Sequence, residues 1–86
     1  MPRSQDDREI LGDLWREQGR QCYYCRRRIT LSDSTFDHKA PVSRGGLESR
    51  RNKVAACMRC NLEKGNKTVA EYRQYWEQVN GFRAPF

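Results

Sequence analysis

Two C-x-x-C pairs, Cys22-Tyr23-Tyr24-Cys25 and Cys57-Met58-Arg59-Cys60, constrain this chain more than any other feature. That spacing lets two thiolates grip one ion, and two such knuckles complete a closed tetrahedral zinc site. With 86 residues, 36% of them hydrophobic, the chain is one domain with a modest core. Domains of that size often need a metal or disulfide staple. The 31 residues between the pairs exceed the usual 15–20 of a simple zinc ribbon, so additional structure is expected between the knuckles. A disulfide pairing, a thioredoxin-like redox site and rubredoxin-type iron are the rivals. A reducing compartment disfavours the first, the second uses one pair and a larger fold, and a basic surface argues against a bare electron carrier. A closed all-thiolate site has no open position, so this zinc is expected to hold the fold and not to do chemistry.

The N-terminal residues lead into no apolar run long enough for a signal peptide. No stretch approaches the roughly 18 apolar residues of a membrane span. A cytoplasmic location with no membrane partner is the expectation. The net charge is +6, and it is concentrated. Residues 20–67 hold 12 Lys and Arg against 4 Asp and Glu, whereas residues 1–19 hold 3 against 5 and residues 68–86 hold 2 against 2. The middle of the chain carries the positive field, for which a polyanion is the natural partner.

Three blocks emerge within a single domain spanning 1–86. In 1–19, Ile10, Leu11, Leu14 and Trp15 recur at helical spacing. They predict an amphipathic helix over roughly 5–18, with Ser4 and Asp7 as an approximate capping box and Gly19 as its stop. In 68–86, Thr68-Val69-Ala70-Glu71 is a full capping box. Val69, Tyr72, Trp76 and Val79 then line one face, and Asn80-Gly81 closes the helix. Within 20–67, Thr35-Phe36-Asp37-His38 and Val54-Ala55-Ala56 read as strands separated by a loop with Pro41 and Gly45-Gly46. A short helix after Cys57 is predicted to run to Gly65, with Met58 and Leu62 facing the core. The expected order is helix, knuckle, strand, long loop, strand, helix, helix.

The run Phe36-Asp37-His38-Lys39-Ala40-Pro41-Val42-Ser43-Arg44-Gly45-Gly46 is followed by Arg51-Asn52-Lys53-Val54-Ala55-Ala56-Cys57 and then by Cys60-Asn61-Leu62-Glu63-Lys64-Gly65. Residues 22–67 resemble the HNH endonuclease family, whose members carry D-H-x-x-P-x-S-x-G-G, a downstream Asn, and C-x-x-C-[HN]-x-x-K-G. The resemblance implies an α+β fold: a small ββα-metal core stapled by the four-cysteine zinc site and flanked by N- and C-terminal helices. It also implies metal-dependent hydrolysis of DNA phosphodiester bonds. Asp37 then corresponds to a metal ligand, His38 to the general base, Asn52 to the residue that orients the His38 imidazole, and Asn61 to a second metal ligand. Lys64 matches the family's basic residue and is a candidate phosphate contact. Asn61 stands where many members have His, which implies weaker hold on softer ions. Lys53 follows Asn52 where Leu is frequent.

Residue chemistry points the same way. A divalent cation stabilises charge on a phosphodiester undergoing attack. A histidine titrates near neutrality and can take a proton from water. A carboxylate and an amide oxygen are hard ligands suited to Mg²⁺ or Mn²⁺. Asn61 and Lys64, three apart on a helix, share a face. Successive strand residues point to opposite faces, so Asp37 and His38 serve one site only if the strand twists or the site straddles its edge. Arg26, Arg27 and Arg28 either grip phosphates or form a solvated basic turn; Arg44, Arg51 and Lys53 are the remaining candidate phosphate contacts. One active site would nick DNA, held mainly through its backbone and directed, in the way of small family members in phage packaging or defence, by a protein partner. The alternative is a non-catalytic zinc-dependent nucleic-acid-binding module. A RING-type domain would need two zinc sites.

Overall fold

The computed structural model describes residues 7–86. Its elements are α1 (Asp7–Glu17), β1 (Ser34–His38), β2 (Lys53–Cys57), α2 (Met58–Lys64) and α3 (Val69–Asn80), with short 3₁₀ turns at Leu31–Asp33, Val42–Arg44 and Arg50–Asn52. This is the small α+β order expected from the sequence. No helix among the described residues is long and apolar enough to cross a membrane.

The centre is a two-stranded antiparallel ribbon in which Ser34 faces Cys57, Phe36 faces Ala55 and His38 faces Lys53. A bare two-stranded ribbon is marginal in water and leaves both edges unpaired. Here side chains satisfy both edges. On the β2 side, Gln18 at the end of α1 donates to the Ala55 carbonyl at 2.8 Å and accepts from the Ala55 amide at 2.9 Å. The Tyr23 amide also donates to Ala55 O. On the β1 side, Asn61 donates to Phe36 O at 2.9 Å and Lys64 donates to His38 O at 2.7 Å. Carbonyls two apart on a strand thus meet side chains three apart on a helix, each spacing placing its pair on one side.

The core gathers Cys22, Tyr24, Ile29, Val54, Ala56, Cys57, Cys60 and Tyr72. Tyr24 lies edge-on to Tyr72 at 5.2 Å and to Phe86 at 4.9 Å between ring centroids. Such pairs add about 0.5–1.5 kcal/mol each beyond area burial, which matters where few aliphatic residues are buried. From α1, Leu14 is buried, and Trp15 packs on the core and donates its indole N–H to Ile29 O at 2.9 Å. At the start of α3 the capping box forms as predicted: Thr68 accepts from the Glu71 amide, and Glu71 accepts from the Thr68 amide. Gly81, with φ +78°, ends that helix in the left-handed region.

Several expectations differ from the structure in detail. The first helix begins its described span at Asp7 and ends at Glu17; the Ser4 cap lies outside the described residues. Met58 and Leu62 do not face the core; they are 55% and 71% exposed. Metal-site geometry decides this, because α2 must turn Cys60 toward the other cysteines. Lys64, four residues on, shares that buried face, which leaves Met58 and Leu62 outside. Val79 is likewise 61% exposed, while Tyr75 joins Val69 and Trp76 against the core. The strands each run slightly beyond the expected limits, through Ser34, Lys53 and Cys57.

Candidate active site

The four cysteine sulfurs lie within 4.8 Å of one another, and Cys25 Sγ is 4.0 Å from Cys57 Sγ. A tetrahedral zinc–thiolate site has sulfurs about 3.8 Å apart, from Zn–S bonds of about 2.3 Å. The donor set and spacing fit such an ion. Crowding sets neighbouring thiols against one another. The hydrogen bond from Cys60 pulls Cys22 well below the ordinary thiol range, and the same contact pushes Cys60 up. Burial raises Cys25. Four thiolates this close need a cation to coexist. The first knuckle is closed by an antiparallel bridge between Gln21 and Arg28, with Arg26 at φ +63° to make its turn.

A separate cleft of about 310 Å³ opens at the His38 end of the ribbon, lined by Phe36, Asp37, His38, Asn61, Lys64 and the loop residues Pro41 to Ser43. Asp37 and His38 share it because β1 ends there, so the site straddles the strand terminus. Asp37 is buried. Its carboxylate accepts from the Tyr24 phenol and lies 3.2 Å from Lys64 Nζ. Lys64 is itself 1% exposed, so its ammonium is spent within the protein on Asp37 and the His38 carbonyl. Burial, and then the Asp37 carboxylate, raise the Tyr24 phenol far above its ordinary value, so it remains a donor. Asn61 commits its amide N–H₂ to Phe36 O, which leaves its amide oxygen as the atom that could hold an ion. Asp37 and Asn61 together present oxygen donors of the kind Mg²⁺ and Mn²⁺ take.

His38 Nε2 is 2.7 Å from Glu48 Oε1, and Lys53 Nζ is 3.5 Å from the same oxygen. The His38 contact holds the Glu48 carboxyl below its usual range. Asn52 makes no bond to the imidazole. Its amide accepts from Ala40 N at 2.9 Å and donates to Ala40 O at 2.9 Å and Leu47 O at 2.8 Å, while its backbone carbonyl accepts from Lys39 N. It therefore fixes the backbone leaving His38 and closes the loop of residues 40–47. Gly46 is obligatory in that loop, since a Cβ there would sit 1.8 Å from Ala40 O. Arg44 ties the loop to α3 through Glu71 and the Asn66 carbonyl.

The other candidate phosphate contacts scatter. Lys53 lies over the Phe36 ring at 5.0 Å with its side chain only 12% exposed. Arg26 donates to Pro85 O. Arg27, Arg28 and Arg51 are exposed. Three contributors escaped the sequence reading: Tyr24, Glu48 and Gln18. Tyr24 sits inside a knuckle, and its buried hydroxyl carried no separate signal; Glu48 and Gln18 are ordinary polar residues until the fold brings them to His38 and Ala55.

A family model described as HNH endonuclease matches residues 22–77. Over 64 residues the chain is 45% identical to the CRISPR-associated endonuclease Cas9 of Corynebacterium diphtheriae, an alignment covering 67% of this chain and 6% of that protein. It is 40% identical over 58 residues to the CRISPR-associated endonuclease Cas9 of Actinomyces naeslundii, covering 66% of this chain and 5% of that one. The crystal structure of the Type II-C Cas9 enzyme from Actinomyces naeslundii matches with a TM-score of 0.74 at 31% identity, over 85% of this chain and 8% of that chain. The chain thus spans only a small part of these relatives' length. The matched residues 22–77 take in both knuckles and the whole cleft, and on that basis the chain belongs to the HNH endonuclease family.

Proposed function

We propose that this chain hydrolyses DNA phosphodiester bonds, nicking one strand per active site, with His38 as general base and a divalent ion held by Asp37 and Asn61. The observation that carries the reading is the convergence of Asp37, His38 and Asn61 on one open cleft. With Nε2–H directed at Glu48, the lone pair of His38 lies on Nδ1, which takes the proton from an attacking water. Glu48 stabilises the imidazolium that results, and Asn52 holds the ring's backbone in place. The ion, Mg²⁺ or Mn²⁺, supplies charge stabilisation at the phosphate. Lys64 acts by holding Asp37 and the end of β1, which gives it a positioning role in place of a direct phosphate contact. Arg51, Arg27 and Arg28 extend the cationic surface, with Arg44 available if its bond to Glu71 opens. Zinc in the four-cysteine cluster holds the two knuckles together. The named endonuclease relatives support the nucleic-acid substrate.

The test is a supercoiled-plasmid assay with Mg²⁺, Mn²⁺ or EDTA, run beside His38→Ala. Metal-dependent nicking that falls ~10²-fold or more in the variant is expected. Nicking at wild-type rate in His38→Ala would remove the general-base role. No cleavage with any ion, together with salt-sensitive plasmid retention, would replace the enzyme with a zinc-dependent binding module.

A further inference from the structure

A second groove, about 670 Å³ against about 310 Å³ for the catalytic cleft, lies at the other end of the ribbon. Its apolar floor is made by Trp15, Ile29, Leu31 and Met58, and its cations are Arg20, Arg27, Arg28 and Arg59. Leu31 is 38% exposed and Met58 55%, so both are open to a ligand. Asp33 is the one acid lining it. Elsewhere the guanidiniums of Arg16, Arg44 and Arg50 are paired with carboxylates. None of the four arginines of the groove has a carboxylate partner among the described residues.

We propose that this groove receives a single-stranded stretch of the nucleic acid whose scissile phosphate sits in the catalytic cleft; the inference rests on the nucleic-acid reading above. Unanswered charge calls for a polyanion, and the apolar floor calls for something with exposed flat faces. An unpaired strand has both, whereas a duplex keeps its base faces sealed in the stack. The cations are all arginine, whose planar guanidinium both forks onto phosphate and stacks on a base. The reach is suitable. β1 runs from Ser34, beside Cys57, to His38, about 13 Å at ~3.3 Å per residue. That distance is ~4 nucleotides of stacked strand at ~3.4 Å each, and fewer when the strand is stretched. The favoured substrate is then a frayed end, flap or junction with a single-stranded arm. An acidic amphipathic protein segment would also answer the arginines, and it is an outcome of the test.

The experiment is fluorescence anisotropy of zinc-loaded protein, without added Mg²⁺ or Mn²⁺, using fluorescein-labelled oligothymidine and a duplex of equal length. The single strand is expected to bind at least ~5-fold tighter than the duplex. Leu31→Ser/Met58→Ser, at exposed positions, should weaken the single strand ~10-fold or more and the duplex less than ~3-fold. Zinc content and circular dichroism verify the fold; if the double variant is unfolded, Arg59→Ser is read instead, with ~3-fold or greater loss on the single strand. Backbone amide shifts on adding oligothymidine should cluster at residues 27–31 and 58–59. Equal weakening of both ligands, no weakening, or shifts clustered elsewhere would overturn the proposal. So would a helical peptide of Leu and Glu repeats that shifts these amides when oligothymidine does not. Plasmid nicking by the same preparation separates the two readings: nicking with an indifferent groove defeats this inference alone, and selective strand binding without nicking defeats the nuclease alone.

Discussion

The Tyr24 phenol donates a hydrogen bond to the Asp37 carboxylate, joining the first cysteine knuckle directly to the proposed ion-binding carboxylate. Tyr24 is fully buried between Cys22 and Cys25, and its ring packs against Tyr72 and Phe86. The cysteine cluster, the aromatic core and the cleft are therefore one mechanical unit. Lys64 completes it from the opposite side, 3.2 Å from Asp37. Asp37 is held by two donors before any ion approaches, so its geometry depends on residues well outside the cleft.

Tyr24→Phe keeps the ring and removes the donor. Leaving a buried acceptor short of one partner costs ~1–3 kcal/mol. Urea unfolding should register that loss while zinc content stays at wild-type level. Plasmid nicking should fall as well, with more Mn²⁺ required for half-maximal rate, because Asp37 loses its restraint. Unchanged stability and ion dependence would show that the bond does not organise the site.

Lys64→Met removes the partner of a buried charge. Lys64 and Asp37 are 1% and 6% exposed, and breaking such a pair costs ~3–5 kcal/mol because the remaining charge is uncompensated. Asp37→Leu/Lys64→Met should be more stable than Lys64→Met alone, since nothing charged is then stranded. Equilibrium urea unfolding of wild type, Asp37→Leu, Lys64→Met and the double variant gives the coupling directly; additive losses would mean that the two side chains act independently.

How far the sequence revealed this arrangement follows from what each signal encodes. The C-x-x-C pairs specify a metal knuckle whatever surrounds them, and the Thr68-to-Glu71 box is a local hydrogen-bond circuit, so both were readable. The Asp37-His38 and Asn61 set was readable as a resemblance. The helix faces of Met58, Leu62 and Val79 were not, because apolar spacing fixes a stripe but not which side the metal cluster claims. Lys64 departs from its expected role for a related reason: a candidate phosphate contact by resemblance, it is here the buried counter-charge of Asp37 and a cap for the β1 edge. The resemblance gives Asn52 the task of orienting the His38 imidazole, yet its side-chain bonds go to Ala40 and Leu47, a loop closure that depends on the three-dimensional return of the chain.

Gly46→Ala tests that closure. Its Cβ would meet Ala40 O at 1.8 Å, a backbone atom with little freedom to move. The loop must shift, carrying Ala40 away from Asn52. Nicking is expected to drop ~10²-fold or more, as it does when reacting groups are displaced by about 1 Å, while the zinc cluster at the far end of the ribbon stays loaded. A fully active variant would mean that the position of the loop is irrelevant to His38.

The Arg44–Glu71 pair carries a pH signature. Arg44, together with the Thr68 amide, lowers the Glu71 carboxyl from an ordinary 4.5 to about 2. A depressed folded-state value contributes stability that is present above the unfolded value and lost as pH falls through the folded one. The loss therefore lies between about pH 4.5 and 2. Glu71→Gln preserves a capping-box residue but cannot titrate. Its stability should be lower than wild type at neutral pH and should decline less steeply over that acid window. Both groups are exposed, so added salt should shrink the difference. Urea midpoints measured from pH 5 to 2, at low and high salt, check this. Parallel profiles for the two proteins would mean that Arg44 is not bound to α3 in solution and is already free to meet a phosphate.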